Sequence, residues 1–591
     1  MTKTHKKDVG AILHHKGNAT FRVWAPFAKT VAVTGAFNNW AIVPMDSEGD
    51  GYWTVQVDKA EAGQEYKFVI TTPQGTELHK NDPRSLQVTT SAGNSVLVET
   101  NFDWGDDHFT PPSLNQQVVY ELHIGTFNRP DASTVGTFED AKEKLDYLAS
   151  LGVNMVELMP ITSMSMDRGW GYATDYIYAI ESLYGGRRQF LEFVQAAHAR
   201  GIGVILDVVY NHLGPSDHMD MWQFDGWSQD GKGGIYFYND WRAETPWGAT
   251  RPDYGRPEVQ QYISDNVRLW LHDCHLDGLR LDSTIFLRNV QGRNDDPDHD
   301  LPDGWSVMQR ITSVAKKINP NATIIAEDVG YNPYLTKPKT EGGAGFSSQW
   351  EVGFPHALRS ALSALDDKDR NLTGLCNTLT NTYNNDAFQR IIYSDSHDSA
   401  ANGGARLNQE ISPKDPTSLF ARRRSLAGAA IVLTAPGVPM LFQGQEFMED
   451  GSFNDWQALE WAKAERFAGL VLAYKHLIAL RKNQFANTRG LTGQSIRVLH
   501  LNEEAKLLAY HRWDQGGTGD DVIVVINFAN RIQKDYWINF PRKGNWTVRF
   551  NSDWKGYSPD FKNTTTEIVH VETDSGQCNI GPYSVLILSQ D

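Results

Sequence analysis

Apolar and polar residues alternate with a period of two near both ends of the chain, whereas the central part follows a different pattern. From about Phe21 to Glu99, the alternating runs are FRVWAP, VAVTGAFNNW, GYWTVQV and EYKFVI. After a helical stretch over residues 466–482, alternation returns in IRVLHL, LLAYHRW, DVIVVINF, WTVRFNS and SVLILS. Short alternating runs broken by turn residues predict antiparallel sheets. We therefore predict one β-sandwich in residues 1–112 and a second in residues 488–591.

In the central part, short apolar runs alternate with helical segments. Runs such as MVELMP, GVILDVVYNH, DGLRLDS and ATIIAEDV stay apolar until their last positions. Such strands alternating with helices are typical of a parallel sheet that is covered on both faces. About eight units over about 370 residues fit a closed (β/α)8 TIM barrel better than an open sheet. We place this barrel at residues 113–487, with an insertion after its third strand at about 213–254.

Composition and charge exclude several functional classes. The chain has a formal net charge of −17 over 591 residues, which argues against nucleic-acid binding. It has no GxGxxG after its first barrel strand and no Walker sequence, so nucleotide binding lacks its usual signals. Three widely spaced cysteines, Cys274, Cys376 and Cys578, exclude a disulfide framework and a cysteine-based zinc site.

The sequence gives no sign of a secretory signal or a membrane span. The N-terminal residues MTKTHKK have no apolar stretch behind their charges. The long apolar segment at 425–442 contains Gly428, Pro436, Gly437 and Pro439, which favour a buried helix, a turn and a barrel strand. We expect a cytoplasmic protein that does not contact a membrane, although a secreted chain that had lost its signal would show the same pattern.

Aromatic residues are numerous, with 18 Trp, 22 Tyr and 26 Phe. Such side chains fill the cores of β-rich domains, and they also form flat apolar platforms for sugars. Composition alone favours the core. Inside the insertion, a sugar-stacking wall and a folded loop core are equally supported by a group of Trp and Tyr residues, namely Trp222, Trp227, Tyr236, Tyr238, Trp241 and Trp247.

Polar side chains close most of the apolar strands predicted for the barrel. In this fold, catalytic groups come from the carboxyl ends of the strands. A barrel with a purely structural role does not require an ionisable group at most of these positions. The residues concerned are Asp207, His212, Arg280, Asp282, Glu327, Asp328, His397, Asp398, Gln445 and Glu446.

Two carboxylates and one arginine in this set predict a particular chemistry. Arg280 and Asp282 are two residues apart on one strand, so both point the same way, and the cation keeps Asp282 ionised as a nucleophile requires. Glu327 follows an apolar run, and apolar surroundings raise a carboxyl pKa and suit a general acid. Adjacent strands would bring the two carboxyl groups to the roughly 5–5.5 Å of a retaining glycosidase. An ordinary Arg–Asp ion pair beside an exposed Glu is the alternative for any single pair.

The ordered set resembles the α-amylase family of glycoside hydrolases over the whole barrel. The segments similar to the four signature blocks of that family are Asp207-Val-Val-Tyr-Asn-His212, Gly278-Leu-Arg-Leu-Asp282, Glu327 and His397-Asp398. The resemblance implies that Asp282 is the nucleophile, Glu327 the acid/base and Asp398 a third carboxylate that binds hydroxyls of the distorted sugar ring. It also implies a substrate-binding set in which Tyr172 stacks on the glucosyl unit and the histidines hydrogen-bond it, made of Tyr172, Asp207, His212, Arg280 and His397.

Two further features bear on this resemblance. The segment Gly35-Ala-Phe-Asn-Asn-Trp40 resembles the signature of a starch-binding-like module, in which Trp40 and Trp53 are either glucan platforms or core residues. Many α-amylases place a calcium-binding His four residues after the nucleophile, where this chain has Phe286. Asn211 remains as one candidate calcium ligand, and one residue is not a site. We expect no cofactor and leave a structural calcium unassigned.

The acceptor of the glucosyl group decides the activity. Water gives hydrolysis, whereas a 4-hydroxyl or 6-hydroxyl of a second glucan chain gives transfer or branching. The segments 207–212 and Trp170–Asp175 are similar to amylases, isoamylases and maltooligosyl-trehalose trehalohydrolases, whereas Ser394–Asp398 and the domain layout are more like glycogen branching enzymes. We therefore expect α-amylase-type hydrolysis of α-1,4-linked glucans, with branching and trehalose release as alternatives. The sequence does not set the product length or the oligomeric state.

Overall fold

The computed structural model describes residues 8–14, 17–131, 133–166, 168–215 and 219–591. The segment MTKTHKK, on which the reading of the N-terminus rests, lies outside the described residues. Three folded parts follow one another along the chain, two β-sandwiches with a closed barrel between them. The predicted fold class is therefore confirmed. The domain boundaries at 112 and 487 stay predictions.

The N-terminal part is a sandwich of two antiparallel sheets around a core that includes Phe21, whose ring meets that of Tyr66 at 5.0 Å between centroids. The strands of the first sheet, in spatial order, are Gly10–His14, Asn18–Trp24, Tyr52–Asp58 and Asp46–Gly49. The second sheet consists of Val43–Pro44, Thr30–Gly35, Glu65–Thr71 and Glu77–Lys80, with Ser95–Val96 also paired to Glu65–Thr71. Trp53 donates its indole N–H to the carbonyl of Ala25, whereas Trp40 is exposed.

The barrel has eight parallel strands, and its first strand pairs with its eighth. In chain order the barrel strands are Val119–Leu122, Met155–Leu158, Gly203–Val208, Gly278–Leu281, Thr323–Ala326, Ser348–Trp350, Arg390–Ile392 and Val438–Phe442. The sequence did not reveal the sixth strand. Its three residues, Ser-Gln-Trp, contain no apolar run, and it is defined by pairing with its neighbours.

Helices surround the barrel and connect its strands. Their bounds are Ile124–Phe127, Phe138–Lys142, Leu145–Leu151, Gly186–His198, Pro257–Arg268, Thr284–Arg288, Pro302–Ile318, Gly353–Ser363, Leu372–Thr380, Leu407–Ile411, Leu419–Thr434, Ala462–Arg466 and Ala468–Arg481. The segment 138–151 contains two short helices, and the helix Pro257–Arg268 continues beyond Arg268 as a wider π-helical turn, Leu269–Asp273. The apolar segment 425–442 forms a buried helix, a turn and the eighth barrel strand, as predicted. No helix in the described part of the chain is long and apolar enough to cross a membrane.

The insertion after the third strand packs against the N-terminal sandwich. The ring of Trp227 stacks on Phe27 at 4.6 Å, and the carboxylate of Asp225 accepts the main-chain N–H of Phe27 at 2.9 Å. Tyr236 and Tyr238 are buried. Most of the aromatic group in the insertion therefore forms a core and a domain contact. Trp241 and Trp247 differ from the others, because each is about half exposed.

The C-terminal part is the second predicted sandwich. Its six-stranded sheet has the order Ser495–Asn502, Leu507–Trp513, Val522–Asn527, Ser584–Ser589, Gly544–Asn551 and Ile568–Val571. A two-stranded sheet, Gln533–Asn539 with Ser575–Ile580, covers it. Trp546 is fully buried in the core between these sheets.

Candidate active site

The carboxyl ends of the third to fifth barrel strands bring four of the predicted site residues together. Asp207 lies opposite Arg280 in the register of the third and fourth strands. Asp282 directly follows the fourth strand, and Glu327 directly follows the fifth. Because parallel strands present their carboxyl ends at one edge, local strand registers place these side chains at the same mouth of the barrel.

Arg280 lies at the centre of this cluster and is fully buried. Its Nη1 donates to Asp207 Oδ2 at 2.6 Å and to Asp282 Oδ1 at 3.0 Å, and its Nη2 lies 3.1 Å from Glu327 Oε2. The guanidinium also stands over the ring of Trp350, 4.5 Å from its centroid. Burial opposes the charge of Arg280, but the carboxylates, Asp207 first, hold its pKa well above the usual value. One permanent cation therefore fixes three carboxyl groups.

Asp282 is held from its other side by Asn211. The amide nitrogen of Asn211 donates to Asp282 Oδ2 at 2.7 Å and to the main-chain oxygen of Asp282 at 2.8 Å. The amide oxygen lies 2.5 Å from Nδ1 of His212, so both ends of this side chain are engaged. Burial lowers the pKa of His212 to about 4, and the imidazole is therefore neutral at neutral pH. Asn211 therefore orients Asp282 and His212. Its amide oxygen, the atom with which an asparagine binds calcium, faces the imidazole of His212 instead.

Glu327 is buried, and a main-chain donor fixes its carboxyl group. The N–H of Ser283 donates to Glu327 Oε2 at 2.7 Å. Ser283 has a φ of 41°, a left-handed conformation that a non-glycine residue adopts at a cost. Burial raises the pKa of Glu327 to about 7, with Asp282 and Asp398 acting in the same direction and Arg280 against them. Glu327 therefore carries a proton at slightly acidic pH, as a general acid must.

His397 and Tyr172 complete the cluster. His397 follows the seventh barrel strand, and Tyr172 lies in the loop of a two-stranded hairpin after the second, Thr162–Met164 with Thr174–Ile180. The hydroxyl of Tyr172 donates to Asp207 Oδ2 at 2.7 Å and lies 3.0 Å from Nε2 of His397. Asp398 Oδ2 is 3.4 Å from the same nitrogen, and its side chain is 46% exposed at the mouth. Burial acts to lower the pKa of His397, but the negative charges of Asp398 and Glu121 outweigh it and raise that pKa to about 9.

Sequence reasoning missed Glu121, which lies in the first barrel strand. Its two carboxylate oxygens accept from His397, at 2.5 Å from Nδ1 and 3.1 Å from the main-chain nitrogen. Glu157 of the second strand lies beside it in register and is also buried. Burial, reinforced by the charge of Glu121, raises the pKa of Glu157 well above its usual value. The available signal was a glutamate inside each of two apolar runs, VVYEL and MVELM.

Other polar residues at the strand ends lie outside the cluster. Asp328 forms an ion pair with Arg288 at 2.8 Å. Glu446 accepts hydrogen bonds from the hydroxyls of Tyr147 and Tyr120, at 2.9 and 3.1 Å. Within the described residues, no group of three or more His, Cys, Asp and Glu side chains is arranged to hold a metal ion.

Comparison with known proteins agrees with this geometry. Residues 122–223 and 215–487 match the family described as alpha amylase, catalytic domain. The chain belongs to the α-amylase family. Residues 8–85 match carbohydrate-binding module 48, the isoamylase N-terminal domain, and residues 498–591 match the alpha amylase C-terminal all-beta domain. The resemblance predicted from the signature segments and from the N-terminal module is therefore confirmed.

Several named proteins are similar to this member of the α-amylase family over most of its length. The 1,4-alpha-glucan branching enzyme of Lactobacillus acidophilus is 29% identical over 572 residues, which cover 91% of this chain and 86% of that protein. The corresponding enzyme of Corynebacterium efficiens is 28% identical, with coverage of 94% and 76%. The malto-oligosyltrehalose trehalohydrolase of Saccharolobus solfataricus is 30% identical over 462 residues, with coverage of 73% and 74%.

A solved structure supports the fold of the whole chain. The pullulanase of an Anoxybacillus species, complexed with maltotetraose, superposes with a TM-score of 0.75 at 21% sequence identity. The alignment covers 99% of this chain and 87% of the pullulanase.

Proposed function

We propose that this protein is a 1,4-α-glucan branching enzyme, which cleaves an α-1,4 bond and transfers the released chain to a 6-hydroxyl. The observation that carries the proposal is similarity to branching enzymes through all three parts of the chain, over 91–94% of its length. The trehalohydrolase aligns over only 73% of it. The α-amylase-type hydrolysis expected from the sequence therefore has less support than its branching alternative.

In the first half of the proposed reaction, Asp282 attacks C1 of the glucosyl unit at the cleavage point. The bond from C1 to the glycosidic oxygen breaks, and that oxygen takes the proton of Glu327. A pKa of about 7 for Glu327 supports this role, because the group is protonated near neutrality yet acidic enough to donate. The product is a covalent glucosyl ester on Asp282.

In the second half, the 6-hydroxyl oxygen of an acceptor glucan attacks the same carbon. The bond between C1 and Asp282 breaks, its electron pair returns to the carboxylate, and Glu327 takes the hydroxyl proton. Two displacements at one carbon retain the α configuration. If water attacks instead, the outcome is hydrolysis, so the acceptor side of the site determines the activity.

The remaining residues of the cluster position these groups and the sugar. Arg280 fixes both reacting carboxyl groups through one guanidinium. We assign Tyr172 to stacking on the glucosyl ring, and His397 and His212 to its hydroxyls. Asp398, exposed at the mouth, is assigned to the hydroxyls that reorient when the ring distorts. Asp207 completes the site by holding Arg280 and Tyr172.

Product analysis on amylose tests the proposal. Chromatography of the chains before and after enzymatic debranching, with NMR of the anomeric protons, distinguishes the activities. A new population of α-1,6 branches without a matching rise in reducing ends is the expected result. Short maltooligosaccharides alone would make the protein an amylase. Release of free trehalose from maltooligosyl-trehalose would support the trehalohydrolase alternative.

A further inference from the structure

Trp247 is the exposed aromatic residue of the insertion that lies against the active-site cluster. Its ring stacks on His212, with 4.5 Å between centroids and 17° between planes. The ring of Phe286 approaches it nearly at right angles, at 5.2 Å. Trp247 nevertheless remains 47% exposed, although His212 covers one face of the indole. These two rings therefore cover only part of the indole, and its exposed part is open to a ligand at the mouth of the barrel.

Hydrogen bonds hold the main chain beneath this indole in place. Trp247 lies in a tight turn closed by two main-chain hydrogen bonds between Thr245 and Gly248, of 2.9 and 3.2 Å. The buried side chain of Arg251 donates to the main chain of this segment at Glu244, and also to Val290 of the barrel. An immobilised aromatic face loses little conformational entropy when a ring stacks on it.

The neighbours of Trp247 indicate whether it lies on the donor side or the acceptor side of the cleaved bond. Glu327 protonates the leaving oxygen and later takes the proton of the attacking hydroxyl, so the acceptor chain lies on its side of the cleaved bond. Ser283, which donates to Glu327, directly precedes the helix Thr284–Arg288 that carries Phe286. Trp247 thus contacts both His212, assigned to the donor glucosyl unit, and Phe286, which lies three residues after the Ser283 that donates to Glu327.

We propose that Trp247 is the acceptor platform, on which a glucosyl ring of the attacking glucan chain stacks. This inference rests on the proposed function and extends it from the chemistry of cleavage to the selection of the acceptor. A glucosyl ring presents an apolar C–H face that can stack on an indole, whereas a water molecule cannot stack on it and is not stabilised by it. Trp247 consequently favours transfer over hydrolysis after the ester on Asp282 has formed.

A partition experiment with an activated donor tests the platform. Maltotriosyl α-fluoride forms the ester with loss of fluoride, and the ester is then divided between water and added maltotriose. The ratio of transfer product to free maltotriose is independent of how much of a variant is folded, because both products come from the same intermediate. We expect Trp247→Ala to lower this ratio about tenfold, equivalent to about 1.4 kcal/mol, and Trp247→Phe to lower it less.

Trp241→Ala is the matched control. Trp241 belongs to the same insertion and is 50% exposed, but its ring meets His299 and not the site cluster. We expect this variant to keep the wild-type ratio. An unchanged ratio in Trp247→Ala, or an equal fall of the ratio in Trp241→Ala, would contradict the proposal that Trp247 is the acceptor platform. Absence of α-1,6 links in the wild-type products would refute branching instead, while the ratio would still report on Trp247.

Discussion

Glu121 and His397 are 276 residues apart in sequence, yet the carboxylate of the first accepts two hydrogen bonds from the second. Both side chains are buried, and the pKa of His397 is raised to about 9. The imidazole is consequently charged at neutral pH, and its Nε2 faces the hydroxyl of Tyr172 at 3.0 Å. We therefore propose that Glu121 is a positioning residue that acts through His397 on the sugar assigned to it.

The first prediction concerns Glu121→Gln. Loss of this negative charge lowers the pKa of His397, because burial then opposes only the attraction of Asp398. We expect fluoride release from the activated donor to fall about tenfold between about pH 6 and 8 as His397 loses its proton, whereas the wild type, in which the pKa of His397 is about 9, should show no such fall. The pH profile of kcat measures this effect. Glu157→Gln is the control, because Glu157 is the buried glutamate beside Glu121 in register, whereas the two hydrogen bonds to His397 are accepted by Glu121. Identical profiles for Glu121→Gln and the wild type would contradict the assignment.

The second prediction separates the two carboxyl groups of the reaction. Asp282→Asn and Glu327→Gln should each lower turnover of amylose by about 10²–10⁴-fold or more, while the thermal unfolding transition persists. Fluoride is a leaving group that needs little protonation. Glu327→Gln should therefore release an initial burst of fluoride as the ester on Asp282 forms, followed by slow release because the second half of the reaction lacks its base, whereas Asp282→Asn should lose both phases. Near-wild-type turnover of amylose by either variant would refute the roles.

The third prediction is an alkaline limit on glucan cleavage. Burial raises the pKa of Glu327 to about 7, and only the protonated carboxyl group can donate to the leaving oxygen. The rate of cleavage of amylose should therefore fall tenfold per pH unit above about pH 7. With the fluoride donor, the rate of fluoride release should not show this fall above about pH 7. A cleavage rate that stays constant between about pH 7 and 9 would exclude Glu327 as the acid.

The fourth prediction concerns stability and Glu446. This carboxyl group is fully buried, and burial raises its pKa from 4.5 to about 7. Because the folded-state pKa exceeds the unfolded one, the stability contribution is complete below about pH 4.5 and is lost as the pH rises to about 7. Glu446→Gln does not titrate, so relative to the wild type it should gain about 3 kcal/mol over this interval.

Unfolding of both proteins at about pH 5 and pH 8 measures this gain. Comparing the two pH values removes the constant effect of exchanging the carboxyl group for an amide between Tyr120 and Tyr147. An equal difference in stability at both pH values would show that Glu446 does not titrate between them.

The sequence by itself determined the barrel, its two flanking sandwiches and most of the candidate active-site cluster. Strand and helix periodicity are local properties, and Asp207, Arg280, Asp282 and Glu327 each lie at the end of a recognisable apolar run. Parallel strands align their carboxyl ends, so these residues had to meet once the barrel was predicted. The alternation of apolar and polar residues at both ends of the chain likewise predicted which faces of the sandwich sheets are buried.

Tertiary structure alone decided the contacts that depend on barrel closure and on the folding of the insertion. The sixth strand has three residues without an apolar run, and only its pairing on both sides defines it. Glu121 reaches His397 because closure brings the ends of a long segment together. Trp247 and Trp241 have the same residue type and similar exposure, but only Trp247 stacks on His212. Residue type and spacing carry no information on such contacts, since they arise from packing between segments that are distant in the chain.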